Sequence, residues 1–145
     1  KRNIDIRVLC LDDGVLFDEI SEYINSKGLN ENIKLLGFRK NVNEIICASD
    51  VGILMSYREG LPRNIMEIMA CKKPVIGTNI RGIKDLIIDG YNGFLVNTGD
   101  AESTADRIED LLSDRELLGK MSESAHEYIQ DYAIENIVNY LEEIY

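Results

Sequence analysis

VGILMSYREGLPRNIMEIMACKKPVIG, residues 51–77, holds a strand, a loop, a helix and a second strand in that order. Residues 51–55 are apolar throughout, and the run is short, which predicts a buried strand. Glu59-Gly60 falls in the loop that follows. Pro62 suits the first turn of a helix: its fixed φ is helical, and the N–H it lacks is not needed there. The helix is expected over residues 62–71, and residues 74–77 form the next apolar run. A strand that returns through a helix to lie beside a parallel neighbour is a βαβ unit. Strands without a polar face belong to parallel sheets covered on both sides.

The same alternation extends outward. Upstream, residues 6–11 and 33–36 read as strands. Residues 15–27 read as a helix with Ile20, Tyr23 and Ile24 on one face, stopped by Gly28. Residues 42–48 read as a further helix. Downstream, residues 83–88 form a short helix or turn, Tyr91-Asn92-Gly93 a turn, and residues 93–96 a fifth strand. The remainder, 101–145, is expected to be helical in two or three pieces. The fold class is therefore α/β, a doubly wound parallel sheet with a helical C-terminal tail. Residues 1–100 are expected to form the core, with 101–145 packing on the same domain. Ligands of such sheets bind at the carboxyl ends of the strands, here the loops at 12–16, 37–40, 56–62, 78–82 and 97–100.

The chain has 145 residues, 45% hydrophobic and 29% charged, an ordinary globular mix. It begins with Lys1 and enters an apolar run almost at once, which suggests a piece of a longer protein. No apolar run approaches the roughly 18–20 residues that span a bilayer. The net charge of −10 is uneven: residues 1–100 carry 13 Lys/Arg against 14 Asp/Glu, residues 101–145 carry 3 against 12. The acidity thus belongs to the tail and does not repel an anion from the rest, since charges are screened within about 8 Å at physiological salt. No basic stripe with interleaved aromatics exists, so nucleic acid is not an expected partner. Cys10, Cys47 and Cys71 have no CxxC spacing and sit among apolar residues, and are expected to be buried, reduced thiols of a cytosolic protein. His126, the one histidine, is expected to face solvent from the acidic tail. Tyr128, Tyr132, Tyr140 and Tyr145 have spacings suited to packing.

The chemistry concentrates in residues 56–87. Gly60 lets the backbone turn tightly or approach a ligand closely. The helix start offers free N–H groups and a positive dipole end, with donors from Gly60, Leu61, Arg63 and Asn64. Glu67 stands out in Ile65-Met66-Glu67-Ile68-Met69. A carboxylate among apolar neighbours must either be paired with an Arg or Lys or face a polar cleft. Helical side chains lean toward the N-terminus, which would carry Glu67 toward the mouth that holds Glu59. Read alone, Glu59 is more readily an ordinary surface carboxylate than a ligand-binding one.

Glu59 and Glu67, with Gly60, Pro62, Met69-Ala70, Pro74-Val75, Arg81-Gly82, Asp85-Leu86-Ile87 and Asn92–Val96, resemble the E-x7-E region of family-4 (group 1) glycosyltransferases. These are retaining enzymes of the GT-B type, built of two Rossmann-like domains. The similarity runs from about Ile6 to Val96, and the Arg81-Gly82 variant looks like the subgroup that builds capsular polysaccharides and exopolysaccharides. The resemblance implies a donor-binding domain for a nucleotide sugar, with UDP the expected nucleotide and a hexose or N-acetylhexosamine the transferred group. It implies that Glu59, the catalytic candidate, bonds sugar hydroxyls, and that the Gly60 and Leu61 amides hold sugar or diphosphate oxygens. Arg63 and Asn64 would complete the helix-start site. Glu67 would accept from both ribose hydroxyls, and Gly37-Phe38-Arg39 would lie against the base. No metal or other cofactor is implied. The acceptor, a glycan or lipid-linked glycan, would bind a domain upstream of this chain. The family's first strand, central in the sheet and followed by an Arg and a Lys that grip the diphosphate, would also lie upstream. The isolated chain is therefore expected to be inactive, and the whole enzyme cytoplasmic, at the inner face of the membrane through its other part.

The sequence departs from the family at three points. Asp12 and Arg81 stand where glycines are usual. Lys72 replaces the glycine that closes the helix, and a left-handed cap there would cost about 1 kcal/mol. Two alternatives share the architecture: a non-catalytic nucleotide-sugar-binding module and a nucleotide-sugar 2-epimerase. A phospho-receiver domain, suggested by Asp12-Asp13 after a strand, lacks the aspartate required at the end of the third strand, where Ser56-Tyr57 stand.

Overall fold

The structure, a computed structural model, describes residues 5–11 and 13–132. The turn residue Asp12, the expected helix beyond residue 132, Tyr140 and Tyr145 lie outside the described residues. The chain divides into two compact units, Lys1–Val42 and Asn43–Tyr145. All five strands pair in parallel, so the α/β class and the parallel pairing expected from the sequence hold; the strands form two sheets, where a single sheet was expected.

The first unit consists of β1 (Val8–Cys10), α1 (Phe17–Ser26) and β2 (Ile33–Leu35). β1 and β2 lie side by side with Val8 opposite Ile33 and Cys10 opposite Leu35. α1 begins later than its pattern suggested. Val15 is fully exposed, and only Ile24 of the expected apolar face is buried, with Ile20 and Tyr23 left in solvent. Gly28 ends the helix as expected: its φ is +65°, its N–H bonds Asn25 O, and Leu29 N bonds Ile24 O. Those two bonds satisfy carbonyls that the last helical turn would leave open.

The second unit carries α2 (Val42–Ala48, which starts at the last residue of the first), β3 (Gly52–Leu54), α3 (Arg63–Ala70), β4 (Val75–Thr78), β5 (Gly93–Val96), α4 (Ala101–Ser113) and α5 (Arg115–Gln130). The sheet order is β3–β4–β5. Alternate residues of β4 point to opposite faces, and each face has its own core. Val75 packs with Ile65 and Met69 of α3, Ile83, Leu86, Ile87, and Ala125 and Ile129 of α5. Ile76 packs with Phe94, Val96, Leu111 of α4, and Leu118 and Met121 of α5. Only β4 is buried along its whole length. β1, β2 and β3 are half-covered, with Leu9 and Ile53 each 40% exposed. The expectation that the apolar strands are buried on both faces is corrected here. Both hydrophobic clusters take their buried strand residues from β4 and β5 and none from β1, β2 or β3, so the faces of these three strands are less covered.

α4 and α5 are capped by Asp100 and Asp114, whose carboxylates accept from backbone N–H groups of the first turn. The Ser103 backbone N–H and hydroxyl hold the Asp100 carboxyl below its usual range. Asn92, fully buried, accepts from Ile88 N and donates to Leu86 O, which satisfies its amide within the turn before β5. No helix among the described residues is long and apolar enough to cross a membrane.

α3 closes the way α1 does, with Lys72 where glycine would serve. Lys72 has φ +57°; Lys72 N bonds Met69 O and Lys73 N bonds Ile68 O. A left-handed L-residue costs about 1–2 kcal/mol. The exposed Lys72–Glu123 ion pair at 3.0 Å returns little of that. Lys72→Gly is expected to stabilise the chain by about 0.5–1 kcal/mol, after part of the gain is lost to the greater freedom of glycine in the unfolded state. Urea unfolding would show this as a higher midpoint at unchanged slope; a lower midpoint contradicts it.

Two expectations about side chains in this unit need correction. Cys47 is exposed, Cys10 of the first unit and Cys71 are half-buried, and none of the three belongs to either hydrophobic cluster. Burial, and then a hydrogen bond with Cys47, push the Cys71 thiol up to about 11. His126 does not simply face solvent. Its Nδ1 lies 3.1 Å from Ala70 O and its Nε2 3.0 Å from the Gln130 amide, so it ties α5 to the open carbonyl end of α3. Tyr128 and Tyr132 do pack, with ring centroids 5.7 Å apart. Their mutual hydrogen bond and burial push the Tyr128 hydroxyl up to about 12.

Candidate functional site

β3 and β4 run parallel, so their carboxyl ends open on the same edge of the sheet. The loop after β3 is fixed there by hydroxyls. Thr78, 1% exposed at the end of β4, donates its Oγ1–H to Ser56 O at 2.6 Å. Ser56 Oγ in turn donates to Glu59 Oε1 at 2.6 Å. A bond that short suits a hydroxyl on an ionised carboxylate. Glu59 is half-buried and is thereby oriented by its own loop.

The loop passes through Gly60 and exposed Leu61 to buried Pro62, the N-cap of α3, which has an extended backbone and no side-chain cap. Among the described residues, the backbone N–H groups of Gly60, Leu61, Arg63 and Asn64 donate to nothing. Asn64 Oδ1 accepts from Ile65 N at 2.9 Å, which leaves the side-chain NH2 unused. No acidic residue occupies the first turn. Arg58, Arg63 and Arg81 are exposed, and among the described residues none of them makes an ion pair. Open amides, a helix dipole and unneutralised guanidinium groups together favour an anion.

Glu67 resolves the question its neighbours raised. α3 buries Ile65 and Met69, one turn apart, and Glu67 lies halfway round the helix from Ile65. Its side chain is exposed and, among the described residues, makes no hydrogen bond or ion pair. Even Arg63, on the same face at i−4, is not within ion-pair distance. Glu67 is thus neither dry nor bound to a structural cation. It shares the solvent face of α3 with Arg63, and its side chain leans toward the helix start.

The structure thus brings six of the nine expected residues, Glu59, Gly60, Leu61, Arg63, Asn64 and Glu67, into one loop and helix of the second unit. Gly37, Phe38 and Arg39 follow β2 in the first unit. There Gly37 has φ +65°, and Phe38, 71% exposed, presents an open ring. Sequence reading gave no role to Ser56, Thr78, Gly82 or Asp85, although Gly82 and Asp85 stand in the motif that carries the resemblance. Ser56 could have been found from its position three residues before Glu59, the spacing of a local hydroxyl–carboxylate turn. Thr78 and Gly82 reach the loop across 22 residues of chain, and no local pattern announces them.

Residues 1–128 match the family described as Glycosyl transferases group 1. The chain is 34% identical over 143 residues to N-acetyl-alpha-D-glucosaminyl L-malate synthase of Bacillus anthracis, covering 98% of this chain and 38% of that protein. It is 31% identical over 140 residues to the putative glycosyltransferase EpsD of Bacillus subtilis, covering 97% of this chain and 37% of that one. Among solved structures it resembles Alr3699/HepE of Anabaena in complex with UDP, with a TM-score of 0.89 and 25% identity over 96% of this chain and 40% of that one. The chain therefore spans less than half the length of the relatives it matches.

Proposed function

The chain belongs to the glycosyl transferases of group 1, and from that premise we propose that it is the donor-binding domain of a retaining glycosyltransferase. One observation carries this reading. A free carboxylate at Glu67, four open amides and an oriented Glu59 lie on a single loop–helix junction with no described partner of their own. Gly60, Leu61, Arg63, Asn64 and Glu67 are exposed, so a ligand that replaces their water has no described protein partner to displace. A nucleoside diphosphate sugar matches them group by group. Its ribose diol suits a carboxylate with two acceptor oxygens, its diphosphate suits the helix start and the Arg63 side, and its sugar hydroxyls suit Glu59.

The donor is a UDP-linked hexose or N-acetylhexosamine. A similar solved structure is in complex with UDP-glucose, and a relative is the UDP-Gal:alpha-D-GlcNAc-diphosphoundecaprenol alpha-1,3-galactosyltransferase of Escherichia coli, which supports this choice. The acceptor is a glycan or lipid-linked glycan of cell-surface polysaccharide synthesis, held by another part of a longer, cytoplasmic protein at the inner face of the membrane. Residues 1–100 and the helices of 101–145 serve as one domain of that protein. When the sugar leaves UDP, negative charge grows on the diphosphate, and inward-facing N–H donors at that point give the largest electrostatic help.

The test is a thermal-shift screen of the 145-residue chain against nucleotides and nucleotide sugars. UDP at one hundred times its dissociation constant is expected to add about 2.7 kcal/mol of stability, with no sugar transfer by the chain alone. Absence of a shift with every nucleotide, or robust turnover by this chain, would overturn the reading.

A further inference from the structure

We propose that Gly82, backed by Asp85, is a positioning residue that aims the Gly60 and Leu61 amides at the donor. The inference rests on the donor-binding reading above. Gly82 is buried in the turn after β4, with φ +87°. A methyl group built on it would stand 2.3 Å from Gly60 O, 3.0 Å from Glu59 O and 3.1 Å from Gly60 C. These are backbone atoms and cannot rotate aside. Gly60 itself has nothing within 4 Å of a built Cβ, so the loop is closed on its Gly82 side and open where Gly60 faces.

Trans peptide geometry turns this contact into an aim. In a trans peptide, the carbonyl of one residue and the N–H of the next point in opposite directions, and the described chain has no cis bonds. With the carbonyls of Glu59 and Gly60 held toward Gly82, the N–H groups of Gly60 and Leu61 point away from it. Those amides are among the four that donate to nothing described.

The turn is stiff enough to act as a template. Gly82 N donates to Asp85 Oδ2 at 3.0 Å, Lys84 N to Ile80 O, and Tyr128 of α5 donates to Asp85 O at 3.4 Å. Ile83, Leu86 and Ile87 are buried in the core. The turn cannot retreat from a clash without disturbing that core, so a clash would displace the loop.

The experiment compares Gly82→Ala with Gly90→Ala. Gly90 also has positive φ, +76°, but nothing within 4 Å of a built Cβ, so its variant carries the same backbone strain without the push. Calorimetry is expected to show UDP and UDP-glucose bound tenfold or more weakly by Gly82→Ala and within twofold of wild type by Gly90→Ala. Without ligand, the amide NMR resonances of Gly60 and Leu61 should move in the first variant and stay in the second. Should Gly82→Ala not fold, Asp85→Ala removes the acceptor of the Gly82 N–H and should displace the same two resonances. Asp85→Asn, which keeps an acceptor oxygen, should restore them. Unmoved Gly60 and Leu61 resonances, or unchanged binding in folded Gly82→Ala, would overturn the proposal. If wild type binds neither UDP nor UDP-glucose, the functional reading falls, while the resonances still decide whether Gly82 sets the loop.

Discussion

Glu67→Ala is expected to weaken UDP binding by roughly thirty- to one-hundredfold, with no comparable loss of stability. Hydrogen bonds to a charged group contribute about 1.5–3 kcal/mol each, and Glu67 offers two oxygens to a ribose diol. Desolvation of an exposed carboxylate on binding removes part of that sum, leaving about 2–3 kcal/mol net. The unfolding midpoint should hardly change, because Glu67 makes no described contact that the fold uses and surface substitutions of that kind fall within about 0.5 kcal/mol. Glu59→Ala should do the reverse of a general weakening: UDP is spared and UDP-glucose loses about tenfold, the worth of one charge-assisted bond. Calorimetric titration of both ligands into both variants checks this. Identical losses of both ligands in both variants would contradict the division of roles.

Gly93→Ala is expected to destabilise the chain by roughly 3 kcal/mol or more, near the upper end for overpacking. Gly93 lies directly opposite Val75 in the parallel register. A Cβ at Gly93 would stand 2.2 Å from Val75 O, 3.2 Å from Val75 C and 3.1 Å from Ile87 Cγ2. β4 is the central strand of its sheet and is buried along its length. The sheet therefore has to open, or β4 has to press into one of the two cores it separates. Chemical unfolding would reveal this as a large fall in midpoint; a change below about 1 kcal/mol, an ordinary effect for a point substitution, would show that the two strands are less closely seated.

These two predictions rest on features of different legibility. The order of strands and helices could be read because each apolar run is short and bounded, and all but the last two are separated by a helix-period segment. The left-handed end of α3 at Lys72 was expected only through the resemblance, which puts a glycine there; a lysine by itself announces nothing of the kind. Coverage could not be read that way. The runs of β1 and β3 are as apolar as that of β4, but Leu9 and Ile53 are 40% exposed. Periodicity reports which side chains would profit from burial, not which neighbours arrive to bury them. The helix start after Gly60 is a local signal, but Glu59 stood out from an ordinary surface carboxylate only through its resemblance to the E-x7-E region. What fixes that loop is not local. Thr78 grips Ser56, and Gly82 seats against Gly60, through contacts that exist only once β3 and β4 are side by side. The thiols were misjudged for a related reason: an apolar flank in sequence places a cysteine near a core but not inside it.

The most direct measurement is a crystal structure of this chain with UDP-glucose bound. It should place both ribose hydroxyls within hydrogen-bonding distance of Glu67, the diphosphate over the amides that precede Arg63, and the glucose hydroxyls on Glu59. A nucleotide seated elsewhere, with the Glu67 carboxylate still in water, would contradict the assignment of this loop and helix as the donor site.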